Sequence, residues 1–184
     1  MSKTTTWKID PSHTSATIAA RHLMLTNVRA SLSGTTGELE FDPDRPESGR
    51  IRFSIPASTV NTGDEKRDGH LRSADFLDVE RYPEITFVST KIRKADDGRL
   101  VVTGDLTIRG TTKPVDVTVE PNGVVQGPSG RVAGFTATAS VDRTAFGLVW
   151  NMPVPGGVLV SEKLKVEFDL QAVETVAAER AVAA

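Results

Sequence analysis

The segment KLKVEFDLQA, residues 163–172, decides the fold class of this chain. Apolar residues occupy every second position from Leu164 to Ala172, and charged or amide side chains occupy the positions between them. Successive side chains of a β-strand point to opposite faces, so the pattern predicts a strand with one apolar and one solvated face. No helical period fits the same segment.

The same alternation recurs along the chain between turn-forming sequences. Clear examples are residues 38–42, 50–55, 100–108 and 115–120. Asp97-Gly98 and Asn122-Gly123 are strong signals for tight hairpins, and Arg109-Gly110 marks a further turn. Many short strands joined by tight turns predict an antiparallel all-β fold. The local pattern leaves a closed barrel and a sandwich equally open.

Length and composition restrict the organisation of the chain. A chain of 184 residues fits one domain. We expect this domain to span residues 1–172 and residues 173–184 to form a frayed or disordered C-terminal tail. The polar N-terminus lacks the apolar run of a secretory signal, and no apolar window reaches the roughly 20 residues of a spanning helix. The sequence therefore predicts a cytoplasmic protein without a transmembrane segment.

Charge and cysteine content exclude several functions. The net charge is −2 and no basic stripe is present, which argues against nucleic acid and anionic membrane surfaces as partners. The chain has no cysteine, so disulfides, thiolate nucleophiles and cysteine-ligated metals are excluded. Exposed edge strands commonly pair between copies, which leaves a homodimer open.

One short helix is predicted within the polar segment that follows residue 60. Thr62 and Glu65 have the spacing of a capping box, and Lys66–Ala74 has acceptable helical propensity. Its apolar content is low, so the helix should lie on a surface or cover the mouth of a barrel. A second, shorter helical turn is predicted at His22–Thr26.

The sequence provides little for catalysis. The only imidazoles are those of His13, His22 and His70. Asp68 and His70 are two residues apart, so on a helix they point to different sides, and no metal site is predicted. G-x-S-x-G and phosphate-binding glycine motifs are absent. We therefore predict no catalytic residue and no enzyme, with a lipid-modifying hydrolase or isomerase that uses His13 or His70 as the alternative.

Small residues on one predicted strand raise the question of internal volume. The apolar face of residues 132–142 carries Ala133, Ala137 and Ala139. An eight-stranded barrel is just wide enough to be filled by side chains or to hold one ligand. From the alternation alone, a solid core filled by phenylalanines is slightly favoured. Those residues are Phe41, Phe53, Phe87 and Phe168.

A set of ordered segments resembles a known family. The segments are WKIDPSHTSA (7–16), NTGDEKRDGHLRSADFLDVERYP (61–83), EITFVST (84–90), LTIRGTTKPV (106–115) and VDRTAFGLVWN (141–151). Over residues 7–172 they are similar to the YceI-like family of lipocalin-like polyisoprenoid-binding proteins. The resemblance implies an antiparallel eight-stranded lipocalin-like β-barrel with one short capping helix. It also implies a long apolar pore that holds a polyisoprenoid or comparable lipid.

The resemblance implies two groups of site residues. The inward-facing residues expected to bind the ligand are Ala16, Ile18, Leu39, Phe41, Ile51, Phe53, Ile85, Phe87, Leu106, Ile108, Val117, Phe135, Ala137, Ala139, Phe146, Val166 and Phe168. The charged residues expected to form a rim network that fixes the helix over the barrel are Asp10, His13, Arg67, Asp68, His70, Asp75, Asp142 and Arg143.

The function that follows is non-enzymatic binding, carriage or sequestration of a hydrophobic small molecule. An isoprenoid, quinone-like or fatty-chain lipid would be bound, and no other cofactor is expected. Each methylene taken from water contributes about 0.8 kcal/mol, so a long chain can bind tightly with few polar contacts. The remaining alternative is a stress-associated interaction module whose barrel is packed solid.

Overall fold

The computed structural model describes residues 4–128, 130–155 and 157–175. Most of them lie in β-strands. The strands are β1 Thr5–Ile9, β2 Ser15–His22, β3 Thr26–Leu32, β4 Thr36–Asp42, β5 Arg45–Pro56, β6 Glu84–Lys94, β7 Leu100–Ile108, β8 Thr111–Gly127, β9 Gly130–Asp142, β10 Pro153–Val154, β11 Gly157–Val158 and β12 Val160–Thr175. The α-helix α1 is Glu65–Arg72, and short 3₁₀ turns occupy Pro11–His13, Ala57–Thr59 and Arg143–Phe146.

Eight antiparallel strands close into a barrel, as predicted. Neighbours follow the order β1, β4, β5, β6, β7, β8, β9, β12, and β12 pairs again with β1. The β2–β3 hairpin extends this sheet, because β2 pairs with the same edge of β12 as β1 does. Glu174 pairs with Trp7 of β1 and Phe168 pairs with Ala16 of β2, so β1 and β2 succeed each other along β12. The turn Pro11–His13 joins them.

Two of the predicted turns are correct and one is misplaced. Residues 95–99 connect β6 to β7, and Arg109-Gly110 connects β7 to β8 with positive φ at both positions. Asn122-Gly123 lies inside β8, at a register shift against β9, and the chain reverses between Gly127 and Gly130 instead. The side-chain amide of Asn122 donates to the Thr136 hydroxyl on β9. A bulge at this point lets the pairing of β8 with β9 continue. More residues therefore pair than would if the chain turned at Asn122-Gly123.

The predicted helical turn at His22–Thr26 is wrong. These residues form the tight connection of the β2–β3 hairpin, in which the Leu25 amide donates to the His22 carbonyl at 2.9 Å. Leu23 and Met24 both have positive φ, of 51° and 58°. Pairing between β2 and β3 runs from Ala16 opposite Leu32 to His22 opposite Thr26, and this ladder overrides the local helical preference.

The α-helix is present, but its cap differs from the prediction. The Asp64 carboxylate accepts from the Arg67 amide at 2.9 Å and caps α1. Thr62 instead donates its hydroxyl to Asp68 within the helix, at 2.5 Å. The helix ends at Arg72 rather than at Ala74. At this end the Ser73 amide donates to the His70 carbonyl. Asp64 is itself a strong capping residue, so the helix begins one position after it.

The barrel core comprises three buried clusters, which we group into two halves. We call the first the packed half, which lies beneath α1 and comprises Ala16, Leu32, Ile55, Ala57, Val60, Phe76, Ile85, Ile108, Val141, Phe146 and Leu148. We call the second the cavity half, which comprises Trp7, Ile9, Leu39, Phe41, Phe87, Leu100, Val102, Val119, Ala133 and Ala172. Phe53 packs against both halves.

The barrel extends slightly beyond the predicted domain boundary. Thr6 pairs with Thr175, so residues 173–175 belong to β12 rather than to a tail. The prediction of a frayed or disordered tail for residues 176–184 lies outside the described residues. No helix in the described part of the chain is both long enough and apolar enough to cross a membrane.

Candidate functional site: an apolar cavity in the barrel

The cavity half contains a cavity of about 90 Å³. It lies toward the strand ends remote from α1, because Leu100 begins β7 whereas α1 follows the end of β5. The β9 residues Ala137 and Ala139 form part of its wall. Short side chains leave this volume open, whereas larger ones at the same positions would fill it.

Aromatic rings frame the cavity. The Phe53 ring stacks on Phe87 with centroids 5.3 Å apart and packs against Phe168 at 5.5 Å. Phe41 meets Phe135 edge to face at 5.7 Å. Phe87 fits only because residue 104 is glycine, since a Cβ there would lie 2.4 Å from the Phe87 Cζ atom. The rings therefore set the width of the cavity.

The polar residues that border the cavity are exposed. Glu40 and Arg50 face each other across β4 and β5, and Thr138 lies on β9. All three side chains are solvent-accessible, whereas the deeper lining is aliphatic or aromatic. Such a wall recognises apolar length and girth.

The predicted ligand-binding residues divide between the two halves of the core. Those that line the cavity are Leu39, Phe41, Ile51, Phe53, Phe87, Val117, Phe135, Ala137, Ala139 and Phe168. Those that do not line the cavity and pack in or against the packed half are Ala16, Ile18, Ile85, Leu106, Ile108, Phe146 and Val166, of which Leu106 also contacts the cavity half. The sequence thus identified which residues face the barrel interior, but it did not identify in which half of the barrel each of them lies.

Several cavity residues were not in the predicted set. They are Glu40, Pro46, Gly49, Arg50, Ile92, Leu100, Val102, Val119, Thr138 and Leu170. The aliphatic members Leu100, Val102 and Leu170 lie on strand faces that the alternation identifies as apolar. Extending each predicted face to the end of its strand would have found them.

Asp10, His13 and Ser12 form a local cluster on the flank of the barrel. The His13 Nδ1 atom lies 2.8 Å from Asp10 Oδ2, and the Ser12 hydroxyl donates to Asp10 Oδ1. Hydrogen bonds from the Ser12 hydroxyl, the His13 ring and the Ser12 amide lower the pKa of Asp10 to about 2. The Ser12 hydroxyl lies 3.4 Å from the Nδ1 atom of His13, which is the same ring nitrogen that contacts the Asp10 carboxylate. A catalytic triad needs serine and carboxylate on opposite nitrogens, so this cluster lacks the geometry of an activated serine.

His70 contacts aromatic rings at the α1 end of the barrel. Its Nε2 atom lies 3.0 Å from Asp75, and its ring meets Trp150 at 4.7 Å and Phe76 at 5.1 Å, edge to face in both cases. These contacts attach α1 to the segment after β9. In the described ranges no group of three or more histidine, aspartate or glutamate side chains is arranged to hold a metal ion.

Arg67 and Asp68 both bond to Thr62, ahead of the helix. The Asp68 carboxylate accepts from the hydroxyl and the amide of Thr62, and the hydroxyl bond is the main reason that the pKa of Asp68 is lowered. Arg67 donates through Nε to the Thr62 hydroxyl at 2.8 Å. The pair closes the loop that leads into α1.

Asp142 and Arg143 lie at the end of β9 and form hydrogen bonds with the segments that follow it. Asp142 accepts from the hydroxyl and amide of Thr144, which lowers the pKa of its carboxyl group. Arg143 is buried and donates to the carbonyls of Leu148, Trp150, Val160 and Ser161. Burial lowers the pKa of its guanidinium, which nevertheless stays charged under ordinary conditions.

The predicted rim residues therefore lie in separate local groups. Two arginines outside the predicted set provide the longer connections. Arg72 donates to the carbonyls of Ser58 and Val60, and Arg109 donates to those of Ala74 and Gly147. Local sequence spacing could not identify these partners, because each bond joins segments distant along the chain.

Three solved structures share this fold. BcnA of Burkholderia cenocepacia superposes with a TM-score of 0.77 at 24% identity, covering 90% of this chain and 99% of that one. The YCEI protein of Campylobacter jejuni gives a TM-score of 0.72 at 27% identity, covering 85% and 90%. A polyisoprenoid binding domain from Saccharophagus degradans, implicated in plant cell wall breakdown, gives 0.64 at 12% identity, covering 94% and 100%.

Sequence comparison agrees with the structural one. A UPF0312 protein of Pseudomonas putida (strain F1) is 36% identical over 128 residues, which are 69% of this chain and 67% of that protein. A UPF0312 protein of Shewanella baltica is 32% identical over 138 residues, 74% of this chain and 72% of the relative. The family model of the YceI-like domain matches residues 7–172. With this match over nearly the whole barrel, the chain belongs to the YceI-like domain family.

Proposed function

We propose that the barrel binds an elongated apolar molecule in the cavity half and performs no covalent chemistry on it. An isoprenoid, quinone-like or fatty-chain lipid has the required shape and polarity, and the role would be carriage or sequestration. The observation that carries the proposal is the apolar cavity bordered by Ala137 and Ala139, in which the polar lining residues that the structure describes are exposed. A fold shared with a polyisoprenoid binding domain supports it.

The size of the cavity defines how such a ligand would enter. An engineered cavity of about 150 Å³ is large enough for benzene. At about 90 Å³, the cavity takes a long chain only if its walls move apart. The rings of Phe53 and Phe135 are half-buried and border the cavity, so their rotation is the simplest way to widen it.

The first test is chemical. Native mass spectrometry of freshly purified protein, followed by organic extraction, should reveal a co-purifying hydrophobe. A probe with a fluorescent fatty chain should also bind to delipidated protein in a saturable manner. Protein that carries no lipid and binds no probe would contradict the proposal.

The second test places an aromatic ring in the cavity. We expect Ala137→Phe to abolish or weaken probe binding while the barrel still folds, because the ring occupies the volume that the ligand needs. Overpacking a solid core costs about 1–3 kcal/mol, whereas filling an open cavity should cost little. Ala19→Phe is the matched control, since Ala19 pairs with exposed Lys165 and Arg29 on the outer face. Thermal melting and probe titration distinguish the two variants.

The small volume also favours a second candidate, a packed interaction module that holds no ligand. That candidate predicts that Ala137→Phe melts much lower than the wild type. It also predicts that the wild type binds no probe.

A further inference from the structure

Two loops form an apolar tip at the α1 end of the barrel. We define the apolar tip as Leu23, Met24, Leu25, Met152 and Val158, all of which are exposed. The Leu23 amide donates to the Leu159 carbonyl at 2.9 Å, and the Leu159 amide donates to the Met152 carbonyl at 3.0 Å. These bonds place the two loops side by side.

The turn of the tip contains residues that its backbone disfavours. Leu23 and Met24 occupy the two central positions of a tight hairpin, and both have positive φ. Asn-Gly is the preferred sequence in such a turn, because other side chains are strained there. The Met24 side chain is 57% exposed. A large apolar residue that is both strained and exposed contributes little to the stability of the fold. Strain of this kind is typical of functional positions.

The tip is also suited to an apolar environment. Residues 144–161 contain no aspartate, glutamate, lysine or arginine. Three backbone groups of the turn are bonded, because the Leu23 amide donates to Leu159, the Leu25 amide donates to His22, and the Met24 carbonyl accepts from the Arg21 guanidinium at 2.9 Å. Satisfied backbone groups are what insertion into hydrocarbon requires. The exposed Arg21 at the base of the turn matches the anionic phosphates of a lipid surface.

We propose that the apolar tip docks the barrel on a lipid bilayer, with Leu23–Leu25 inserted and the α1 end facing the membrane. Trp150 contacts His70 of α1, which places the uncharged segment beside that helix. The tip offers only a few side chains, whereas a stable dimer takes roughly 20–30 residues from each partner. The absence of a basic stripe argues against electrostatic docking alone, and apolar insertion does not need one. This proposal is independent of what the barrel binds.

The test measures flotation of the full chain with phosphatidylcholine vesicles that contain a minor fraction of phosphatidylglycerol. The double variant Leu23→Asn/Met24→Gly restores the preferred turn sequence. We expect it to melt at the same or a higher temperature and to lose vesicle binding by about tenfold or more, since two inserting side chains are removed. Leu25→Ser removes a side chain that is 75% exposed and should weaken binding without affecting the fold.

Val125→Ser is the matched control, because Val125 is 66% exposed near the other end of the barrel. It should bind vesicles as the wild type does. Wild type that fails to float, or tip variants that float equally well, would overturn the proposal. So would a wild-type dimer that the tip variants dissociate, since the occupant of the tip would then be a second copy.

Discussion

The packed half and the cavity half of the barrel are built from the same strands but filled differently. Beneath α1, Phe76 and Leu148 enter the core from segments outside the barrel strands. At the other end, the residues that line the cavity all belong to barrel strands, and two of the β9 residues are alanines. The wall of an eight-stranded barrel encloses about the same space throughout. Among the described residues, the cavity therefore lies where no segment from outside the strands supplies side chains.

The comparison shows how one barrel can separate stability from binding. Phe146 and Leu148 are almost completely buried, so the packed half contains large side chains that stabilise the fold. Ala137 and Phe135 are only half-buried and border free volume. Substitutions in the first region should change the free energy of unfolding, and those in the second should change ligand binding.

The substitution with the largest expected effect tests whether fold stability depends mainly on the packed half. Phe146→Ala should reduce the free energy of unfolding by about 3–5 kcal/mol, because it removes a buried ring and leaves a cavity. Phe135→Ala should cost clearly less, since one side of its ring already faces free volume and has fewer contacts to lose. Urea denaturation of both variants measures the difference. Equal losses would show that the cavity half is packed as tightly as the other, and the comparison would fail.

A smaller effect is expected at the helix cap. Asp64→Ala removes the bond to the Arg67 amide and should cost about 1 kcal/mol. Glu65→Ala is the control, because Glu65 is exposed and should leave stability almost unchanged. Probe binding should be the same in both, since α1 covers the packed half. Loss of binding in Asp64→Ala would show that the helix controls access to the cavity.

The fold was predictable from the sequence because period-2 alternation is a local signal. Residues 163–172 identified β12, and Arg109-Gly110 identified a turn. Closure into a barrel came only from the family resemblance, because pairing between β1 and β12 joins residues at opposite ends of the chain. Asn122-Gly123 failed as a turn for a similar reason, since ladder pairing with β9 outweighed its local preference.

The candidate site was predictable in part. Alternation identifies an inward face, so it placed Phe53 and Ala137 on the face that lines the cavity. It gives no position along the barrel axis, so the predicted set also includes Ile108 and Phe146, which lie in the packed half. The bonds of Arg72 and Arg109 to distant carbonyls carry no sequence signal, because a carbonyl acceptor belongs to every residue type.

The smallest expected effect concerns Asp10, which lies outside both halves of the core. Hydrogen bonds from Ser12 and His13 hold its pKa at about 2, below the ordinary value of 3.8. A carboxyl group with a lowered folded-state pKa stabilises the fold fully above the ordinary value, and that contribution is lost as the pH falls through about 2. Asp10→Asn removes the titration, so the stability advantage of the wild type over this variant should be constant at neutral pH and shrink below 3.8. Denaturation of both proteins across this range measures it, with probe binding unchanged at neutral pH. An advantage that grows on acidification would mean that the carboxylate is not held by these bonds, and that the turn between β1 and β2 is maintained in another way.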